Sequence, residues 1–107
     1  MRCKVLMALL FMPLLAQSAE LPSYALVIRE NRFEPSSLVI PAGQKVKLVV
    51  TNQDASPEEF ESHELNREKV IPGNSSATIY VGPLKPGRYP FFGEFHPNTA
   101  QGTLIAQ

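Results

Sequence analysis

The chain has 107 residues, and its ten basic and ten acidic side chains give a formal net charge of zero at pH 7. Without an excess of positive charge, it lacks the basic surface that nucleic-acid binding requires. Its single cysteine, Cys3, provides neither a disulfide framework nor a cluster of thiolate ligands. A chain of this length forms one domain with a modest core.

The first nineteen residues have the parts of a secretory signal peptide. Arg2 and Lys4 form a short positive segment, and residues 5–15 form an apolar run that is interrupted by one proline. This run is shorter than the about 20 residues that cross a membrane. Small residues then place cleavage after Ser18 or Ala19. We therefore expect residues 1–19 to be a cleaved signal peptide and the protein to be periplasmic, with a short buried N-terminal helix as the alternative.

Removal of this leader changes the chemistry of the remaining chain, residues 20–107. The mature chain has no cysteine, so it has no thiolate to bind a metal or to act as a nucleophile. It keeps eight of the ten basic residues and all ten acidic residues, a net charge of −2. No second apolar run is long enough to span a membrane.

Proline and glycine divide the mature chain into short segments of β type. Apolar or alternating runs occupy residues 24–28, 37–40, 45–51, 76–81, 88–92 and 102–106. Short β-branched and aromatic runs between turn residues predict an all-β sandwich or barrel. Residues 58–70 have room for a helical turn, but their apolar periodicity is too weak to predict one.

Several motifs also follow one another in a definite order. Phe33-Glu34-Pro35 precedes the run 38–43, residues 49–54 form a strand end and an Asn-containing loop, and Pro72-Gly73 introduces the next strand. Residues 84–92 then lead into the segment 93–98, before a final strand. This order resembles the cupredoxin family over nearly all of the mature chain. The resemblance implies a cupredoxin-like Greek-key β-sandwich of about seven strands.

The resemblance also implies where the four ligands of a blue-copper centre would fall. The two histidine positions are Glu58 and His96, the cysteine position is Gly93, and the axial methionine position is Ala100. Only His96 is a residue of the expected type. Because a type 1 copper centre depends on two histidines and a thiolate, we expect no blue-copper site.

Carboxylates and imidazoles surround these positions. The candidate metal ligands are His96, Glu58, Glu59, Glu61, Glu94 and His63. Such donors suit Fe(II), Fe(III), Cu(II) or Mn(II) better than Cu(I). Strand alternation separates Glu59, Glu61 and His63 from Glu58, so these three form either a second metal site or a solvated acidic face. Glu64 and Glu68 are predicted to be solvated, with Arg67 and Lys69 near enough to offset them.

Phe60-Glu61-Ser62 and residues 91–96 resemble the EfeO-type branch of the family, which belongs to bacterial periplasmic iron-uptake systems. That resemblance implies a metal-binding role in acquiring Fe2+ or Fe3+, with Cu2+ as a further candidate ion, and an iron permease or another uptake component as partner. The alternative is a metal-free cupredoxin scaffold that acts as an interaction module. The sequence has no Ser/His/Asp ordering, phosphate-binding glycine loop or H-E-x-x-H motif. A binding protein is therefore favoured over an enzyme, with a ferroxidase-like contribution left open.

Overall fold

The structure is a computed structural model, and it describes residues 20–107. The predicted signal peptide lies outside the described residues. Within them the chain forms nine strands: β1 (Ser23–Arg29), β2 (Arg32–Glu34), β3 (Ser37–Ile40), β4 (Val46–Asn52), β5 (Glu58–Ser62), β6 (Arg67–Ile71), β7 (Ser75–Val81), β8 (Gly87–Gly93) and β9 (Gln101–Ala106). None of the described residues belongs to a helix long and apolar enough to span a membrane.

The nine strands form two sheets. One has the order β2-β1-β4-β7 and the other the order β3-β9-β8-β5-β6. β1 runs parallel to β4 and β3 runs parallel to β9, whereas the remaining neighbours are antiparallel. The predicted all-β sandwich is confirmed, with nine strands in place of about seven.

The core lies between the two sheets and is built from alternating side chains. In β4 the inward residues Val46, Leu48 and Val50 are fully buried. The rings of Phe60 and Phe91 stack with their centroids 5.0 Å apart, and Phe33 meets both rings edge-on at 6.0 and 5.0 Å. These contacts hold β5, which carries Glu58, Glu59 and Glu61, beside β8, whose end leads into the loop with Glu94 and His96.

Residues 58–70, whose apolar periodicity is too weak to predict a helix, form most of the β5–β6 hairpin. β5 alternates between buried and partly exposed residues, but four of the five residues of β6 are exposed. In the turn, Ser62 Oγ accepts the N–H of Leu65 at 3.1 Å and donates to the carbonyl of Pro90 at 2.8 Å. Ser62 thereby fastens the hairpin to β8.

The loop before β5 is held by a buried amide. Asn52 is fully buried, and its Nδ2 donates to the carbonyls of Ser56 at 2.9 Å and Ile71 at 3.2 Å. Its Oδ1 accepts the N–H of Asp54 at 3.0 Å. Because every polar atom of this side chain has a partner, the loop has a fixed path and β5 begins at Glu58.

Candidate metal centre

β5 divides the predicted ligands between its two faces. Glu58 points inward and is buried, whereas Glu59 and Glu61 point outward and are partly exposed. The structure therefore places the candidates in two groups. Glu58 lies with His96 at the inner face, and Glu59 and Glu61 lie at the outer face, with His63 and Glu94 near them.

The inner group is a hydrogen-bonded carboxylate–imidazole pair. Oε2 of Glu58 lies 2.7 Å from Nδ1 of His96, and the Glu58 side chain is only 1% exposed. Oε1 of Glu58 accepts the backbone N–H groups of Glu59 and Phe95, each at 2.9 Å. Among the described residues, no buried side-chain polar atom is left without a partner. The hydrogen bonds of this buried carboxyl group all come from the protein, as the burial of a polar group requires.

Gly93 and Ala100 close the space around this pair. A Cβ atom on Gly93 would lie 2.6 Å from Cδ and 2.7 Å from Oε2 of Glu58, and 2.7 Å from Cβ of Ala100. In proteins, a Cβ atom essentially never lies within 3.0 Å of a heavy atom of a non-neighbouring residue. The carboxylate of Glu58 therefore fills the space that a side chain at position 93 would occupy.

The residues of the inner centre do not fit a blue-copper ion. Gly93 and Ala100 provide no side-chain donor, and Nδ1 of His96 is engaged by Glu58. The single cysteine of the sequence, Cys3, lies outside the described residues. A type 1 site requires a thiolate and two imidazoles, and this pocket offers one imidazole and one carboxylate.

At the outer face, three carboxylates converge. One oxygen from each of Glu59, Glu61 and Glu68 lies within 4.8 Å of the other two. Glu61 and Glu68 are direct cross-strand partners in the hairpin. Partial burial, followed by the interaction with Glu68, raises the pKa of Glu59 above its ordinary value, and the charges of Glu61 and Glu94 raise this pKa further. The outer group thus carries a local excess of negative charge.

Nearby positive groups are engaged elsewhere or face away. The guanidinium of Arg67 donates to the carbonyls of Tyr80 at 2.8 Å and Asn66 at 2.9 Å. Lys69 is the cross-strand partner of Phe60, so alternation places it on the face opposite to the carboxylates. Nδ1 of His63 lies 4.0 Å from Glu61, and the His63 side chain is 75% exposed.

Glu68 is the member of this group that sequence reasoning missed. It is exposed, as predicted, but the hairpin register sets it directly opposite Glu61. A register requires both strands, and the exposed residues of β6 give no periodic pattern to reveal one. Glu68 could be found from the sequence only if the pairing of β5 with β6 were already known.

The fold and the similarity of the sequence to known proteins agree on the class of protein. The cupredoxin-like domain family matches residues 3–106, so the chain belongs to this family. An uncharacterized protein of Rickettsia prowazekii (strain Madrid E) is 44% identical over 80 residues, which cover 75% of this chain and 64% of that relative. The chain therefore spans less than two thirds of the length of this relative.

Solved structures share the architecture. Auracyanin A, a "blue" copper protein of Chloroflexus aurantiacus, has a TM-score of 0.71 at 15% identity, covering 82% of this chain and all of its own. Amicyanin of Paracoccus versutus gives 0.63 at 16% identity, with 83% of each chain covered. A chain of a haem-copper terminal oxidase gives 0.67 at 20% identity, covering 80% of this chain and 65% of that chain. At these identities the likeness shows the fold alone, and a shared fold does not by itself determine the function.

Proposed function

We propose that the protein is an exported metal-binding cupredoxin-like protein that takes part in iron acquisition. It binds Fe2+ or Fe3+ and supplies a membrane iron permease. The observation that carries this proposal is the convergence of Glu59, Glu61 and Glu68 on the β5–β6 hairpin. Membership in the cupredoxin-like family supports a metal role, and the resemblance of residues 60–62 and 91–96 to the EfeO-type branch supports iron.

The chemistry of the outer group favours a hard cation. Three carboxylates offer oxygen donors, which suit a hard ion better than Cu(I). Partial burial and then the interaction with Glu68 raise the pKa of Glu59, and the charge of Glu61 raises this pKa further. A bound cation would relieve the part of this effect that comes from repulsion between the carboxylates. Nδ1 of His63 lies 4.0 Å from Oε1 of Glu61, and the charge of Glu94 acts on Glu59, so both residues lie near the group. Cu2+ is the second candidate ion because it accepts both donor types.

Calorimetric titration of the exported protein tests the site. The ions are Fe(II) under anaerobic conditions, Fe(III) supplied as citrate, and Cu(II). We expect Glu61→Gln and Glu68→Gln each to weaken iron binding by about tenfold or more, since losses of that size follow even from changes beyond the direct ligands. Glu34→Gln is the matched control, because it removes the same charge from an exposed position on the other sheet. Iron binding at wild-type strength in both hairpin variants would refute the carboxylate site.

Measurement of iron uptake in cells tests the role in iron acquisition. Uptake of radioactive iron under iron limitation should fall when the gene is deleted, return with the wild-type protein, and return only in part with the Glu61→Gln/Glu68→Gln double variant. Chemical cross-linking of the periplasmic face should capture the permease. Normal uptake after deletion would remove iron acquisition from the proposal, while the calorimetric result would still define the metal site.

A second candidate function, a metal-free interaction module, is favoured by one observation. The carboxylate of Glu58 occupies the inner centre and is fully hydrogen-bonded there. Mass-spectrometric metal analysis of protein isolated from its own cells separates the two functions. Protein that contains neither iron nor copper and that binds neither in titration would be an interaction module.

A further inference from the structure

We propose that Glu58 is a built-in replacement for a metal ion. Its carboxylate joins the start of β5 to the loop between β8 and β9, and in doing so it closes Nδ1 of His96 to metals. In the family pattern, this loop and the start of β5 supply ligands that an ion ties together. In this chain an amino-acid side chain ties the same two segments. The inference concerns the inner face of β5 and does not depend on iron binding at the outer face.

The contacts of Glu58 reach two consecutive residues of the loop. Oε1 accepts the N–H of Phe95 at 2.9 Å, and Oε2 pairs with the His96 ring at 2.7 Å. The loop also closes on itself, because the N–H of Ala100 donates to the His96 carbonyl at 2.9 Å and that of Gly93 donates to the Ala100 carbonyl at 2.8 Å. The loop is therefore held at both ends and at its centre without an ion.

A proton lies between Oε2 of Glu58 and Nδ1 of His96. The separation of 2.7 Å is that of a strong hydrogen bond, and a carboxylate and an imidazole nitrogen bond in this way only through a shared proton. A metal on Nδ1 would have to displace that proton, and neither Gly93 nor Ala100 supplies another side-chain donor. The His96 side chain is 32% exposed, so any ion that His96 binds must use Nε2, with Glu58 orienting the ring from the other side.

The side chains at positions 58 and 93 compete for one volume. A Cβ atom at position 93 would overlap the Glu58 carboxylate, with Cδ only 2.6 Å away. Glycine at position 93 is therefore required while glutamate occupies position 58. The same space allows either a ligand side chain from β8 or the carboxylate from β5, and this chain has the carboxylate.

Nuclear magnetic resonance of the histidine rings tests whether Glu58 keeps metal ions from Nδ1 of His96. In 15N-labelled wild-type protein, the proton shared by His96 Nδ1 and Glu58 should give a low-field resonance that persists when Zn(II) or Cu(I) is added in twofold excess. His63, which is exposed, serves as the internal control for metal binding at the surface. Loss of the shared proton, with metal-bound shifts at His96 Nδ1, would overturn the proposal.

A double-mutant cycle tests whether the side chains at positions 58 and 93 compete for the same volume. It is measured in an Ala100→Gly background, because Cβ of Ala100 also lies 2.7 Å from the new atom. With Glu58 present, Gly93→Ala should lower the melting temperature by roughly 5 to 20 °C, the range expected for overpacking in a domain of this size. With Glu58→Ala, the same substitution should be neutral or stabilising. Additive effects of the two substitutions would overturn the proposal, whatever the iron titrations show.

Discussion

Glu61 on β5 and Glu68 on β6 face each other directly in the register of the hairpin. Like charges directly opposite one another in an antiparallel pair are destabilising. We therefore expect Glu68→Gln to raise the melting temperature of the metal-free protein by about 1 to 5 °C. Glu34→Gln, which removes an exposed carboxylate that pairs with Arg29, should leave the melting temperature unchanged or slightly lower. A lower melting temperature for Glu68→Gln would contradict the repulsion.

The repulsion around Glu59 should also make the free energy of unfolding depend on pH. Its pKa is raised by partial burial and then by Glu68, so the folded protein retains a proton that the unfolded chain has released. Between the ordinary and the raised pKa, the free energy of unfolding therefore falls as the pH rises. Urea unfolding of metal-free protein at pH values from about 4 to 8 measures this slope. Glu59→Gln should flatten it, and an unchanged slope in that variant would assign the effect to another group.

The sequence predicts the fold well because the core strands alternate. The runs 45–51, 76–81 and 102–106 correspond to β4, β7 and β9, whose inward residues fill the space between the sheets. β6 gives no such signal, since four of its five residues are exposed. A strand gives an alternating sequence pattern when one of its faces is buried. A strand at the exposed edge of a sheet has no such buried face, so its sequence lacks the pattern.

The candidate site is predictable only in part. Motif order identifies Glu58 and His96 as positions that belong together, and the structure places them 2.7 Å apart. Which atoms meet depends on how the β8–β9 loop closes and on the missing side chain of Gly93, and neither follows from a one-dimensional pattern. The sequence predicts Glu58 as a metal ligand, and the structure adds that its carboxylate is hydrogen-bonded to Nδ1 of His96.

The expected removal of Cys3 with the leader gives a spectroscopic prediction. Addition of Cu(II) to the mature protein should give no intense absorption at roughly 600 nm, where thiolate–Cu(II) sites absorb, because Cys3 belongs to the predicted leader. The triple variant Glu58→His/Gly93→Cys/Ala100→Met supplies the missing ligands beside His96 and is the positive control. A blue colour in the wild-type protein would contradict both the ligand assignment and the closed inner centre.

The N-terminal segment gives a prediction about processing. We expect the exported protein to begin at Ala19 or Glu20, because small residues precede both cleavage points. Intact-mass measurement of protein from the periplasmic fraction determines the first residue directly. Lys4→Glu together with Arg2→Glu removes the positive segment and should reduce export. A periplasmic species that retains Cys3 would contradict cleavage at these positions.

Asn52 gives a prediction about the loop that positions Glu58. Both amide hydrogens of its fully buried side chain donate to carbonyl oxygens, of Ser56 and of Ile71. Asn52→Asp keeps the shape but turns a carboxylate oxygen toward those two carbonyls, so two hydrogen bonds become repulsive contacts and a charge is buried unpaired. We expect the free energy of unfolding in urea to fall by about 3 kcal/mol or more.

Gln53→Glu is the matched control for this substitution. Residue 53 is exposed, so the same exchange of an amide for a carboxylate next along the chain should change the free energy of unfolding by less than about 0.5 kcal/mol. The low-field proton of the Glu58–His96 pair should also weaken in Asn52→Asp but not in Gln53→Glu, because Asn52 fixes the loop from which β5 starts. Equal stability losses in the two variants would show that the effect comes from charge alone and not from the buried amide.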